Sequence, residues 1–178
     1  MRGLLIGRFQ PFHRGHLAVV REIRERRPKD PLVLGIGSAQ LSYTWENPFT
    51  AAERFEMIER ATAEANLVDC LILPVVDIDR HALWVAHVTA TVPAFDRVYT
   101  NNPLTRELFE RAGYTVEGTK LHERERLEGS RIRAAMVDDP DWEPRVPPAV
   151  AAYLREVHAV DRMRRLRDAD GPEEGAPR

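Results

Sequence analysis

Short apolar runs rich in branched residues recur along the chain, at Leu4–Ile6, Leu32–Ile36, Cys70–Val75 and Arg97–Tyr99, with a weaker one around Tyr114–Val116. Runs of this kind suit strands buried on both faces. Helical patterns separate them: Leu17, Val20 and Ile23 at a spacing of three, then Phe55, Ile58 and Ala61–Ala65, then Leu83–Val88, then Leu104–Arg111. This alternation predicts an α/β fold, a doubly wound parallel sheet with helices on both faces and right-handed crossovers. Ser130–Val137 reads as a further helix, and Pro147–Arg167 as one C-terminal helix with Pro147 or Pro148 in its first turn. With no internal repeat and no dividing linker, residues 1–168 are expected to form a single domain. The last stretch, DADGPEEGAPR, has no apolar face, so residues 169–178 are expected to be a disordered tail.

The 178 residues, 43% of them hydrophobic, suffice for one core. Against 28 acidic residues stand 26 basic ones, for a net charge of -2 and a pI of about 6.3, so no global field favours nucleic acid or an anionic membrane. A phosphate ligand must therefore be held by a local cluster. Cys70, the single cysteine, has no partner for an internal disulfide, and its neighbours Leu71, Ile72 and Leu73 predict a buried strand. The N-terminal run lacks the profile of a signal peptide, and nowhere do about 18 apolar residues run together. The expected location is the cytoplasm, with neither membrane nor nucleic acid as partner.

The local cluster is GRFQPFHRGH, Gly7–His16, which directly follows the first apolar run. In parallel sheets ligands bind at the carboxyl ends of strands, where this segment sits. His13 and His16 are three apart, so at a helix N-terminus they share a face where unpaired N–H groups and the helix dipole favour an anion. Gly15 lets phosphate oxygens approach the backbone, an imidazole there donates a hydrogen bond, and a protonated one adds charge. The HxxH spacing also fits a metal pair or plain surface residues. No cysteine or carboxylate lies nearby in sequence, and the flanking glycines with Arg8 favour the anion site, so no protein-held metal is expected.

GRFQPFHRGH resembles the phosphate-binding motif of the HxGH nucleotidylyltransferase superfamily, and EGSRIRAAM, with Ser130 and Arg133, resembles its second motif. Ser130 reads equally as a helix N-cap. The finer resemblance, from Met1 to about Arg167, is to the archaeal-type nicotinamide mononucleotide adenylyltransferases, carried by RGLLIGRFQPFHRGHL, IGSAQ, NPFTAAER, PVVDIDRHALWVAHV, FDRVYTNNPL and GSRIR. It implies a Rossmann-like sheet and adenylyl transfer from ATP to nicotinamide mononucleotide, giving NAD and pyrophosphate. The resemblance assigns His16 to the α-phosphate, His13 to the triphosphate, and Arg8, Arg133, Gly7, Gly15 and Ser130 to the phosphates. It gives the nicotinamide nucleotide to Gly37, Ser38, Asp77 and Trp84. Trp84 offers a flat face to a cationic pyridinium, with Asp79 a further polar group; alone, the same residue reads equally as filler between helix and sheet. Mg2+ is expected to be carried with ATP, and the assembly to be a homo-oligomer, a hexamer.

One departure stands out: Trp45 and Glu46 precede Asn47 where family members can carry a basic residue. A carboxylate does not hold a phosphate, so Arg54, or another arginine such as Arg124 or Arg126, is expected to supply the charge, unless the site uses fewer contacts. Two competing readings are a nucleotidylyltransferase with a flavin, pantetheine or polyol phosphate acceptor, and a non-catalytic nucleotide-sensing module. DIDRHALW disfavours the first, and the presence of both histidines and Arg133 the second.

Overall fold

The computed structural model describes residues 1–120 and 127–169. Strands β1 (Gly3–Gly7), β2 (Leu32–Ile36), β3 (Cys70–Pro74), β4 (Arg97–Tyr99) and β5 (Thr115–Glu117) form a parallel sheet in the order β3-β2-β1-β4-β5. Gly3 pairs with Leu32 on one side and with Arg97 on the other. The chain winds outward from β1 through β2 to β3, then crosses back to lay β4 against β1. The strand order therefore reverses between β1 and β4, which opens a crevice at their carboxyl ends.

Helices α1 (Arg14–Arg26), α2 (Ala51–Glu64), α3 (Trp84–Thr91), α4 (Pro103–Arg111), α5 (Gly129–Asp138), α6 (Pro148–Glu156) and α7 (Ala159–Ala169) cover both faces. The period-two geometry of β2 separates the layers: Leu32, Leu34 and Ile36 join Leu17, Met57, Ile132, Leu154 and Met163 in one apolar cluster. Val33 points the other way, to Leu4, Val88, Val98 and Phe109. Thus α1, α2 and α5–α7 lie on one face, and α3 and α4 on the other. Phe9 and Phe12, on the loop after β1, are buried in the larger cluster, each contributing about 1.5–3 kcal/mol by leaving water. That burial anchors an otherwise polar loop.

Local chemistry fixes the helix starts. Thr50 caps α2 in a capping box: the Glu53 N–H donates to Thr50 Oγ1 at 3.1 Å while the Thr50 N–H donates to the Glu53 carboxylate at 2.9 Å. Asn102 Oδ1 accepts from the Thr105 N–H at 2.9 Å with Pro103 at the first position of α4, and Pro148 opens α6 in the same way.

Two sequence expectations are corrected here. β3 is an edge strand, so its apolar run is not buried on both faces: Leu71 is 40% exposed and Cys70 only half-buried. The expected C-terminal helix is two helices, α6 and α7, because His158 takes a left-handed conformation (φ 50°) and turns the chain. No glycine or proline marks that break. Of the expected tail, Ala169 closes α7 and the remainder lies outside the described residues.

Candidate active site

The site is built on the loop from β1 to α1. His13 is the N-cap of α1, and its imidazole does the work usually given to a hydroxyl or carboxylate: the His16 N–H donates to His13 Nδ1 at 3.3 Å. The His13 N–H donates in return to His16 Nδ1 at 3.2 Å, completing a capping box made of two histidines. Their rings stack with centroids 3.6 Å apart, and Phe9 and Phe12 pack against His16 at 4.9 and 5.5 Å. Burial pulls His13 down to about 4, and burial together with the field of His13 holds His16 well below the usual histidine range. Both are therefore neutral at pH 7, so neither brings the positive charge a protonated imidazole would carry. Because each Nδ1 lone pair accepts a backbone N–H, the single ring proton of each sits on Nε2. The pair presents two oriented N–H donors to the cleft, and the backbone enforces their tautomer. Gly15 leaves room for this stack: a Cβ there would lie 3.1 Å from the His13 ring, closer than an ordinary contact, so the imidazole would have to shift.

Across the cleft stands the start of α5. Arg133 is 6% exposed, and its Nη1 donates to the Gln10 carbonyl at 2.9 Å, while its Nε is buried without a partner among the described residues. An unsatisfied buried N–H costs about 1–3 kcal/mol, which an anion would offset. Burial and the nearby Arg8 charge lower the Arg133 pKa, with Glu46 and Glu128 opposing. The Arg8 side chain is exposed and makes no hydrogen bond or ion pair among the described residues. Two neighbouring guanidiniums with no carboxylate in contact among the described residues are suited to an anion. Ser130 corrects one expectation: Glu128 is the N-cap of α5, without a side-chain cap, and Ser130 lies inside the first turn, exposed at the cleft. Gly129 opens the helix because a Cβ would meet the Gln10 carbonyl at 3.3 Å.

The loops after β2 and β3 supply the other half. Gly37 and Ser38 are buried beyond β2, and Ser38 Oγ donates to Asp77 Oδ2 at 2.6 Å. Gln40 adds a reciprocal amide pair with the Asp77 backbone. Phe9, Ser38 and Asp79, one on each loop after β1, β2 and β3, are held at φ 52°, 49° and 50°. Non-glycine residues in this conformation carry strain, and such strain clusters at functional sites. Trp84, half-buried at the start of α3, packs against the smaller apolar cluster, the filler role the sequence offered, and also lines a cavity of about 320 Å³ with Asp77, Asp79 and Leu104.

Arg54 does not supply phosphate charge. It is fully buried and spends its donors on the carbonyls of Arg8, Gly37, Ser38, Leu41 and Thr50. Arg124 and Arg126 lie outside the described residues.

Three neighbouring cavities share lining residues. The largest, about 570 Å³, is lined by His13, Gly15 and His16 on one side and Asn101, Asn102 and Thr119 on the other. Asn102 also lines the Trp84 cavity, and His13 and His16 also line a smaller one of about 190 Å³ containing Arg8, Ser130 and Arg133. The shared residues set the two arginines, the imidazole pair and Trp84 around adjacent cavities, and residues at the N-termini of α1, α4 and α5 line them. Gly7 closes β1 beneath it. Sequence reading missed Asn101, Thr119 and Lys120 in the wall, and Gln10, whose buried side chain pairs with both backbone groups of Phe49. Only Asn102, an N-cap before proline, carried a readable signal. Among the described residues no group of three or more His, Cys, Asp or Glu is placed to hold a metal ion, and no helix is long and apolar enough to cross a membrane.

The family model described as cytidylyltransferase-like matches residues 4–135. A nicotinamide-nucleotide adenylyltransferase of Haloarcula marismortui is 48% identical over 173 residues, covering 97% of this chain and 90% of the relative. One from Archaeoglobus fulgidus is 47% identical over 176 residues, covering 96% and 98%. Among solved structures, a bifunctional NMN adenylyltransferase/ADP ribose pyrophosphatase of Francisella tularensis, complexed with AMP and a manganese ion, superposes with a TM-score of 0.72 at 19% identity. That match covers 93% of this chain and 51% of the bifunctional one, about half its length, and shows the shared fold. The architecture and the length of the sequence match leave one assignment: the chain belongs to the cytidylyltransferase-like family and, within it, to the nicotinamide-nucleotide adenylyltransferases.

Proposed function

We propose that this protein is an enzyme that transfers the adenylyl group of ATP to nicotinamide mononucleotide, releasing pyrophosphate and forming NAD. The observation that carries the reading is the stacked pair of Nε2–H imidazoles at the N-terminus of α1, set between two arginines and a tryptophan-lined cavity. The relatives' shared name specifies the acceptor.

An oxygen of the acceptor's 5'-phosphate attacks the α-phosphorus, a new P–O bond forms, and the bond to the β-phosphate oxygen breaks. A phosphate monoester is already anionic near neutral pH, so the site needs no strong base, and catalysis rests on positioning and charge neutralisation. His16 donates to the α-phosphate and its transition state, His13 to the triphosphate. Arg8 and Arg133 take the departing pyrophosphate end, assisted by Ser130 and the amides near Gly7 and Gly15. Trp84 stacks on the nicotinamide while Gly37, Ser38 and Asp77 hold its nucleotide. Mg2+ enters as part of the ATP complex, since the residues lining the cleft offer N–H donors and few carboxylates.

The exposed apolar side chains of Val68, Leu71 and Val76 support self-association into a homo-oligomer; the number six comes from the family resemblance alone, and sedimentation velocity measures it. The proposed location is the cytoplasm. The decisive assay is pyrophosphate release from ATP against nicotinamide mononucleotide, nicotinic acid mononucleotide, flavin mononucleotide, phosphopantetheine and a polyol phosphate. Turnover confined to the pyridine mononucleotides is the expected result, and preference for another acceptor overturns it.

A further inference from the structure

The last ladder bond between β1 and β2 runs from the Gly37 N–H to the Gly7 carbonyl, at 2.9 Å. Beyond it the two loops turn apart through left-handed Phe9 and Ser38. Their carbonyls would be left buried without sheet partners, a costly condition. Arg54, from α2, fills the gap. Its Nη1 donates to the carbonyls of both Arg8 (2.9 Å) and Gly37 (2.8 Å), its Nη2 to Ser38 (3.1 Å) and Leu41 (3.4 Å), and its Nε to Thr50 (3.2 Å). All five guanidinium N–H groups are consumed by carbonyls of two loops, β1–α1 and β2–α2, and none reaches the cleft. The Gln10 side chain braces the same loop from the other side through Phe49.

We propose that Arg54 is a positioning residue that fixes the β1–α1 loop, which holds the donor's phosphates, against the β2–α2 loop, which holds the acceptor. The proposal rests on the adenylyl-transfer reading. In-line displacement needs the attacking oxygen and the phosphorus within about 3–3.5 Å, and a 1 Å misplacement costs about 100-fold. One nitrogen bridging a carbonyl of each loop sets that spacing. Each loop retains its own ligand contacts without Arg54, so the spacing governs turnover more than binding. A lysine has three rotatable donors on a point charge and cannot reproduce a planar fork with five.

The test compares Arg54→Lys with Arg24→Lys. Arg24 is also a buried arginine bonded to carbonyls, those of Pro28 and Asp30, but at the amino end of β2, away from the cleft. Melting temperature, kcat and both KM values are measured for each. Arg54→Lys is expected to lose about 100-fold in kcat, with KM for ATP and for nicotinamide mononucleotide each within about three-fold of wild type. Arg24→Lys, with a comparable fall in melting temperature, is expected to keep kcat within about two-fold. A kcat near wild type in Arg54→Lys, a loss confined to KM, or an equal loss in Arg24→Lys overturns the proposal. If Arg54→Lys does not fold, Arg54→Gln is judged by the same criteria; failure of both while Arg24→Lys folds confines Arg54 to the core and also overturns it. A folded wild type that turns over no pyridine mononucleotide defeats the underlying reading instead, so the two failures are distinguishable.

Discussion

At the residue scale the proposed mechanism gives the imidazole pair most of the chemistry. A neutral Nε2–H donor fixed before substrate arrives would stabilise developing charge on the α-phosphate without reorganising, which is the role proposed for His16. His16→Ala is expected to lower kcat by about 100-fold, a loss of order 3 kcal/mol, with the fold intact by circular dichroism. A folded variant with near-normal kcat removes His16 from that role. The task proposed for Trp84 is different. Stacking acts mainly on bound substrate, so Trp84→Ala is expected to raise KM for nicotinamide mononucleotide about ten-fold while KM for ATP changes little. Equal rises in both KM values would return the side chain to the apolar cluster it touches on its other face.

At the scale of elements, His13 belongs to a helix as well as to a site. Its Nδ1 caps α1 and its Nε2 faces the cleft, so stability and activity are separable by choice of replacement. Asparagine keeps a cap acceptor and alanine does not; losing a cap costs about 1 kcal/mol. His13→Asn is expected to hold the melting temperature near wild type while lowering kcat, and His13→Ala to lower both. Thermal melts alongside steady-state kinetics make the comparison, and a His13→Asn enzyme of full activity would leave the residue a cap alone. The same duality explains why HxxH by spacing alone does not declare its purpose: cap, metal pair and anion donor share one pattern.

At the scale of the whole molecule, burial couples the site to global stability. An unfolded histidine binds its proton near pH 6.5, whereas folded His13 resists until about pH 4 and His16 is also held well below its usual range. Between those values the unfolded chain binds more protons, so stability is full above pH 6.5 and is lost as pH falls towards 4. His13 alone accounts for about 3 kcal/mol of that loss. The melting temperature should be flat near pH 7–8 and fall steeply below about 6.5, and His13→Asn should flatten part of the slope. An unchanged slope would show that the pair is not buried in the neutral form. The sheet also brings His16 and Arg133, distant in sequence, to one cavity. A double-mutant cycle on kcat/KM with His16→Ala and Arg133→Lys should therefore depart from additivity by more than about 0.5 kcal/mol. Additive losses would place the two residues in separate sites.

The alternation of apolar runs with helical spacings was enough by itself to determine strand and helix order, because burial on two faces and on one stripe leave different periods in a sequence. The position of GRFQPFHRGH at a strand end, with two histidines on one helix turn, was likewise legible from local chemistry. What depended on partners distant in the chain was not. Cys70–Pro74 reads as buried, yet β3 is an edge because nothing in its own composition states its place in the sheet. Arg54 reads as a free cation, yet four of the five carbonyls that consume it lie 13 to 46 residues away. The charge state of His13 and His16 was equally hidden, since it follows from the packing of Phe9 and Phe12 and from two backbone N–H groups rather than from the residue type. Local sequence sets propensity and pattern; desolvation and hydrogen-bond partnership are properties of the folded neighbourhood, and only tertiary structure decides them.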